Sequence, residues 1–269
     1  MFWDRYQSWD EAEAAWDAAA RQAAAEFPLK TAANPSSPAI VPGETHLRWR
    51  GLWWVIKKDT RFQLIRRLLR HPFRYALGYL RSAIGGPPFR QDGDLFFYGI
   101  DGLDAMKRLI REKETVLLVG FSYCQKPHEC PCGRFSDGCI HSLDSLVCRQ
   151  CVIGKAAHAL PSAQTIFVII PTINAIGAAV LEAAQSNKQV AFIITSCTLA
   201  LEMFSDMGNM AGVRGVGIRL GGRVCNTFRA FELSEEGVKS GATTLLPSAQ
   251  RFLFDLLRTW REAKQPQER

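Results

Sequence analysis

The chain has 269 residues, is 47% hydrophobic and 22% charged, and carries a formal net charge of +7. That composition suits a globular domain that buries a core without a disulfide frame. The first twenty residues hold Asp4, Asp10, Glu11, Glu13 and Asp17 where a secretory signal needs a basic start and an apolar core. No apolar run is long enough to span a bilayer. A cytoplasmic setting is therefore expected, where a dense group of cysteines reads as metal or redox chemistry.

Taken in order, residues 1–27 read as an amphipathic helix, with Trp9, Trp16 and Ala20 near helical spacing. Residues 28–45, with four prolines, read as a linker, giving a first unit over 1–45. A basic aromatic arm follows over 46–90. Ten Lys/Arg residues lie between Arg48 and Arg81, with Asp59 the only acid, and they alternate with Trp, Phe, Tyr, Leu and Ile. Pro72 is expected to break this stretch into two helices. The arm over 47–82 suits an anionic membrane surface, an acidic protein or, least of the three, nucleic acid. It equally suits an appendage whose arginines are solvated and whose aromatics are core. Gly85, Gly86, Pro87 and Pro88 mark the boundary to a third unit over 91–269.

In that third unit helices alternate with short apolar runs. A helix is expected over 101–111, capped by Asp101, then strands over 115–121, 165–170, 189–195 and 213–220. The helices between them fall over 148–160, 172–186 and 198–207, and a last one over 244–263. This order predicts an α/β fold with a mainly parallel sheet of about four strands and flanking helices, preceded by a helical N-terminal region.

The eight cysteines are Cys124, Cys130, Cys132, Cys139, Cys148, Cys151, Cys197 and Cys225. Cys124, Cys197 and Cys225 each follow a predicted strand. In an open parallel sheet the strand C-termini share one edge, so cysteines distant in sequence should meet there. Cys148-Arg-Gln-Cys151 is a CxxC leading into a helix, whose N-terminus favours anionic sulfur. The irregular spacings favour an iron–sulfur cluster, of 4Fe-4S type and one or two in number, over the alternative of zinc. The expected first ligand set is Cys148, Cys151, Cys197 and Cys225, with Cys124 as contender. Cys124, Cys130, Cys132 and Cys139 form a second set. His128 and His141 would complete a zinc site. Arg219, Arg223, Thr172 and Asn174 are candidate anion contacts, and the glycines at 215, 217, 221 and 222 would let backbone N–H groups approach an anionic ligand.

Three blocks, Cys148-Arg-Gln-Cys-Val-Ile-Gly154, Thr195-Ser-Cys197 and Gly221-Gly-Arg-Val-Cys-Asn-Thr227, together with Ser122-Tyr-Cys124-Gln, resemble the cysteine-rich family catalogued as domain of unknown function 116. The resemblance covers roughly residues 115–240. It carries over Cys124, Cys148, Cys151, Cys197 and Cys225, whereas Thr198 stands where the family often has an acidic residue. It implies a metal- or cluster-binding domain and no particular reaction. The expectation is an iron–sulfur protein of electron transfer or of reductive or sulfur chemistry, working with a redox partner protein or a small substrate. The alternative is a zinc-stabilised module that docks through residues 47–82.

Overall fold

A computed structural model of the chain describes residues 1–30, 47–59, 62–84, 89–185, 188–239 and 241–264. Most of the expected linker and the glycine–proline boundary at 85–88 lie outside these residues. The helices and strands in chain order are α1 (Trp9–Glu26), α2 (Leu47–Lys58), α3 (Gln63–Leu68), α4 (Pro72–Ile84), β1 (Arg90–Asp92), β2 (Leu95–Tyr98), α5 (Leu103–Arg111), β3 (Val116–Ser122), α6 (Leu146–Gln150), α7 (Val152–Ala159), β4 (Thr165–Ile170), α8 (Ile173–Gln185), β5 (Val190–Ser196), α9 (Thr198–Ala211), β6 (Arg214–Gly222), α10 (Phe228–Glu235), β7 (Thr243–Leu245) and α11 (Pro247–Lys264).

The strands form one mixed sheet in the order β1-β2-β6-β5-β3-β4, with β7 also on β6. The four expected strands are present, adjacent and mutually parallel. The difference from expectation lies in β1, β2 and β7, which are short and antiparallel. Their signals are slight in sequence. The β1–β2 hairpin turns on Gly93 (φ +57°) and Asp94, and β7 is three residues long.

Side chains along the parallel strands alternate between two cores, as the period of two requires. Leu117, Val119 and Phe121 of β3 and Ala191 and Ile193 of β5 point to one face, covered by α1, α5, α7 and α11. Leu118, Val190, Phe192 and Ile194 point to the other, covered by α8, α9 and α10. Trp9 and Trp16 bring α1 into the first core. Trp54, Val55, Leu64 and Tyr75 bring the arm into the second, where α2 and α4 rest on α9 and α3 on α8.

Several local expectations change. The arm is three helices. Pro72 opens α4, a position where its missing N–H costs nothing. The other break is at Asp59, whose carboxylate accepts from Ile65 N at 2.9 Å, and at Phe62, which is left-handed. Asp101 does not cap α5; Gly102 takes that position with no side-chain bond. The helix expected over 148–160 is two, α6 and α7, parted at Cys151.

The glycines of β6 serve packing. A Cβ on Gly215 would stand 2.1 Å from the Phe192 carbonyl oxygen, and one on Gly217 would strike Leu201 and Tyr98. Gly217 makes room for α9 and β2, and Gly215 for Phe192 of β5. Gly215→Ala is expected to destabilise the fold by about 2 kcal/mol or more, since the opposing atom is backbone. Urea denaturation of the two proteins measures it.

Candidate functional site

The strand order creates a crevice. From β3 the chain crosses through α6 and α7 on one face to β4. It then returns through α8 on the other face to β5, on the far side of β3. Helices thus leave the C-terminal ends of β3 and β5 toward opposite faces. Open sheets bind ligands at such a reversal.

A small cavity opens there. Its walls come from the C-terminal ends of all four parallel strands, with Ser122, Tyr123 and Cys124 after β3 and Ile170 and Pro171 at β4. Ser196 and Cys197 follow from β5, and Val224 and Cys225 from β6. Cys197 is the N-cap of α9. Cys225 Sγ lies 3.4 Å from Ser234 Oγ and 3.5 Å from Lys239 Nζ. Hydrogen bonding from the Cys197 thiol, helped by Lys239 and Ser234, holds the Cys225 thiol down at about 6. The same hydrogen bond and burial push Cys197 well above the ordinary thiol range, and burial raises Cys124. Cys225 is therefore the most acidic thiol of this cavity, with Cys197 as its hydrogen-bond partner. Tyr123 donates to the Ser234 carbonyl at 2.5 Å and fixes the loop against α10.

The other five cysteines line a second pocket. Cys130, Cys132, Cys139, Cys148 and Cys151 line it together with Lys126, His141 and the start of α7. Ile140 N donates to Cys132 Sγ at 3.3 Å. The backbone N–H groups of Ile153 and Gly154 point at the Cys151 sulfur. Burial nonetheless holds that thiol up at about 12, and it raises Cys130 and Cys139 as well. Gly154 explains the spacing of the CxxC block. A Cβ there would stand 2.3 Å from the Cys148 carbonyl oxygen, so only glycine lets α7 start so close to α6.

The eight cysteines are thus grouped differently from the expectation. Cys148 and Cys151 line a pocket with Cys130, Cys132 and Cys139, not with Cys197 and Cys225. Cys124, a contender for the first set and a member of the second, lines the crevice with Cys197 and Cys225. The cause is the faces of the sheet. Cys148 and Cys151 lead into α7, which covers the first core, whereas Cys197 and Cys225 lead toward α9 and α10, which cover the second.

The candidate anion contacts are otherwise engaged. Arg219 pairs with Asp94 at 2.5 Å. The N-terminus of α8 is already capped, because both Glu235 carboxylate oxygens accept from Ile173 N at 3.1 Å. Asn174 donates to the Val55 carbonyl. His128 lies 3.4 Å from Arg134, and His141 meets His158 edge to face.

Among the described residues no three His, Cys, Asp or Glu side chains converge as they would on a single metal ion. The ligands of a cubane cluster stand on separate irons, and charge offers a further criterion of fit. Among the described residues four Lys or Arg side chains are buried: Lys126, Arg134, Lys155 and Arg261. Lys155 pairs with Glu13 and Asp17, and Arg261 with Asp4. Lys126 and Arg134 have no carboxylate partner among the described residues. Lys126 Nζ donates to the Ser136 and Gly138 carbonyls and to Ser136 Oγ at 2.9–3.0 Å, and it is only 2% exposed. Arg134 donates to the Lys239 and Gly241 carbonyls. A buried cation without a carboxylate is costly unless another anion is near. Lys126 lines the five-cysteine pocket, and Arg134 acts on Cys124. Both instead have a cysteine as neighbour, Cys130 for Lys126 and Cys124 for Arg134.

No family model, no curated protein and no solved structure matches this chain. Lys126, Arg134, Tyr123, Glu235 and Lys239 were not foreseen from the sequence. Thr227, three residues before Ala230, was a legible cap for α10, and α10 would have led to Ser234 and Glu235.

Two outcomes follow. Alkylation of Cys225 by iodoacetamide, followed by peptide mass spectrometry, should rise through an apparent pKa near 6. Lys239→Met should move that midpoint up and slow alkylation at neutral pH by roughly fivefold. Glu235 is held up at about 7, chiefly by burial. A carboxyl raised in the folded state stabilises the fold fully below its unfolded value and loses that contribution as pH rises through about 7. Urea unfolding should therefore show a loss of roughly 2 kcal/mol between pH 5 and pH 8 that Glu235→Gln removes.

Proposed function

We propose that this chain is an iron–sulfur protein whose chemistry takes place at the C-terminal edge of its sheet. The observation that carries the reading is the distribution of buried cations. Lys126 and Arg134 lack carboxylates and lie beside the two groups of cysteines, while Lys155 and Arg261 lie elsewhere and have carboxylates. Lys126 would offset the negative charge of a cluster held by four of Cys130, Cys132, Cys139, Cys148 and Cys151. Backbone N–H groups at Cys132 and Cys151 would stabilise the sulfurs further. Such a cluster, when bound, supplies a one-electron redox centre.

The residues of the crevice perform the other half. Cys225 is a thiolate at neutral pH and a nucleophile toward a small substrate or a partner's sulfur. Cys197 holds a proton against it. Lys239 stabilises its charge, and Glu235 can hold or release a proton near neutrality. The walls of Ile170, Ile173, Ile176 and Ile194 exclude water from that pair. This arrangement favours reductive or sulfur chemistry. The family resemblance carried by Cys124, Cys148, Cys151, Cys197 and Cys225 agrees with a cluster-binding domain.

Anaerobic purification with iron and sulfide quantification tests the reading. About four irons per chain are expected. Cys148→Ala and Cys151→Ala should remove most of the iron, and Lys126→Met should reduce its retention several-fold. Cys225→Ala should leave the iron in place. Zinc in stoichiometric amount without iron, or no metal at all, overturns the proposal. Iron lost equally from Cys225→Ala and Cys148→Ala overturns the division into two pockets.

A further inference from the structure

The arm uses both sides of α4. One side packs on α9. Tyr75 is 2% exposed, Ser82 donates to Asp206 at 2.8 Å, and Gly78 lies so close to Met210 that a Cβ would meet its carbonyl oxygen at 2.7 Å. The opposite side is also apolar, and it faces solvent. Phe73, Leu77, Leu80 and Ile84 are 90%, 49%, 53% and 81% exposed. They recur at i, i+4, i+7 and i+11, so they form one continuous stripe. Arg74 and Arg81 are exposed along its flank.

The neighbouring helices repeat the pattern. On α2, which also rests on α9, Trp53 is 68% exposed, with Leu52 and Ile56 beside it and Lys57 exposed. After α3, Leu69 is 66% exposed between Arg66 and Arg70. Single exposed apolar side chains need no explanation, but a stripe of this extent does. The only acid in the arm, Asp59, is buried and committed to capping α3.

We propose that α2–α4 form an interfacial docking surface for an anionic lipid bilayer. Apolar side chains backed by guanidinium groups match the acyl boundary and the headgroups respectively. The surface of α4 is about 20 Å long, enough to lie in the plane of the interface. No helix among the described residues is long and apolar enough to cross a membrane, so the arm lies on the bilayer. A second copy of the chain fits poorly, because it would set the exposed Lys57, Arg66, Arg74 and Arg81 of one arm against the same four cations of the other, and the arm's one acid, Asp59, is buried. The proposal is independent of the metal content of the cysteine pockets.

Sedimentation of the full chain with vesicles tests it. Phosphatidylcholine vesicles carrying about 30% phosphatidylserine should bind the protein at about 0.1 M salt and release much of it at about 0.5 M. Pure phosphatidylcholine vesicles should bind at least tenfold more weakly. Arg74→Gln with Arg81→Gln should weaken binding about 30-fold. Leu77→Ser with Leu80→Ser should weaken it about tenfold or more. These positions are exposed, and circular dichroism should show unchanged folding. Absence of binding to the anionic vesicles, or equal binding to neutral ones, overturns the proposal. So does binding unaffected by both double variants. A dimer in analytical ultracentrifugation that Leu77→Ser with Leu80→Ser dissolves, with no vesicle binding, assigns the stripe to a second copy instead.

Discussion

The handedness of the crossovers is the constraint from which the rest of the site follows. Parallel strands joined through a helix connect in a right-handed sense. A chain that moves from β3 to β4 on one side and then to β5 on the other must send its connecting helices to opposite faces. The two ends that diverge, those of β3 and β5, cannot be covered by either helix. The crevice is left open by topology, before any side chain is considered. Cys124 and Cys197 stand on its two lips, and Cys225 joins them because β6 lies next to β5. The same divergence sends Cys148 and Cys151 away, since they lead into the helix of the opposite face.

Electrostatics then distinguishes the pockets from ordinary buried thiols. Cysteine is often a small apolar side chain in a core. A core cysteine has no need of a cation nearby, and a buried cation has every need of an anion. In this chain Lys155 and Arg261 follow the ordinary rule and tie α1 and the N-terminal turn to α7 and α11 through carboxylates. Lys126 and Arg134 depart from it beside sulfur. Cys225 responds to Lys239 and to the Cys197 thiol by becoming acidic, while its neighbours Cys197 and Cys124 are raised by burial. One cavity therefore contains a thiol made acidic by its neighbours and two raised by their surroundings.

Much of this was legible in the sequence, and the reasons for the rest are physical. The four parallel strands were readable because each is a short apolar run between helical patterns. Placing Cys124, Cys197 and Cys225 on one edge required only chain order. Assigning Cys148 and Cys151 to that set failed because chain order gives the edge and not the face. The face depends on which core a helix covers, and α7 reads as apolar all round, with Ile153, Ala156 and Ala159 buried together with Gly154, Lys155 and His158. The antiparallel strands escaped because β1 and β7 have three residues each, too few for a periodic signal. The glycines of β6 were visible, but their purpose was not. Only the positions of Phe192, Leu201 and Tyr98 reveal that they make room for neighbours.

The short turn after β3 is where the two pockets meet. Tyr123, Cys124 and Gln125 form one 3-10 turn, and Lys126 follows it directly. Cys124 lines the crevice, and Lys126, two residues later, lines the five-cysteine pocket. Gln125 donates to Thr195 of β5, and Tyr123 is bonded to α10, so the turn is clamped on both sides. A change of charge among the five loop cysteines would act on Lys126, which lies two residues from Cys124. Arg134 completes the connection from the other side. It is anchored on the carbonyl of Lys239, whose ammonium meets Cys225, and its own charge acts on Cys124. The pockets are separate in their ligands and joined in their supports. Under the proposed function, this arrangement would couple a cluster in the five-cysteine pocket to the Cys225 thiol across a few residues.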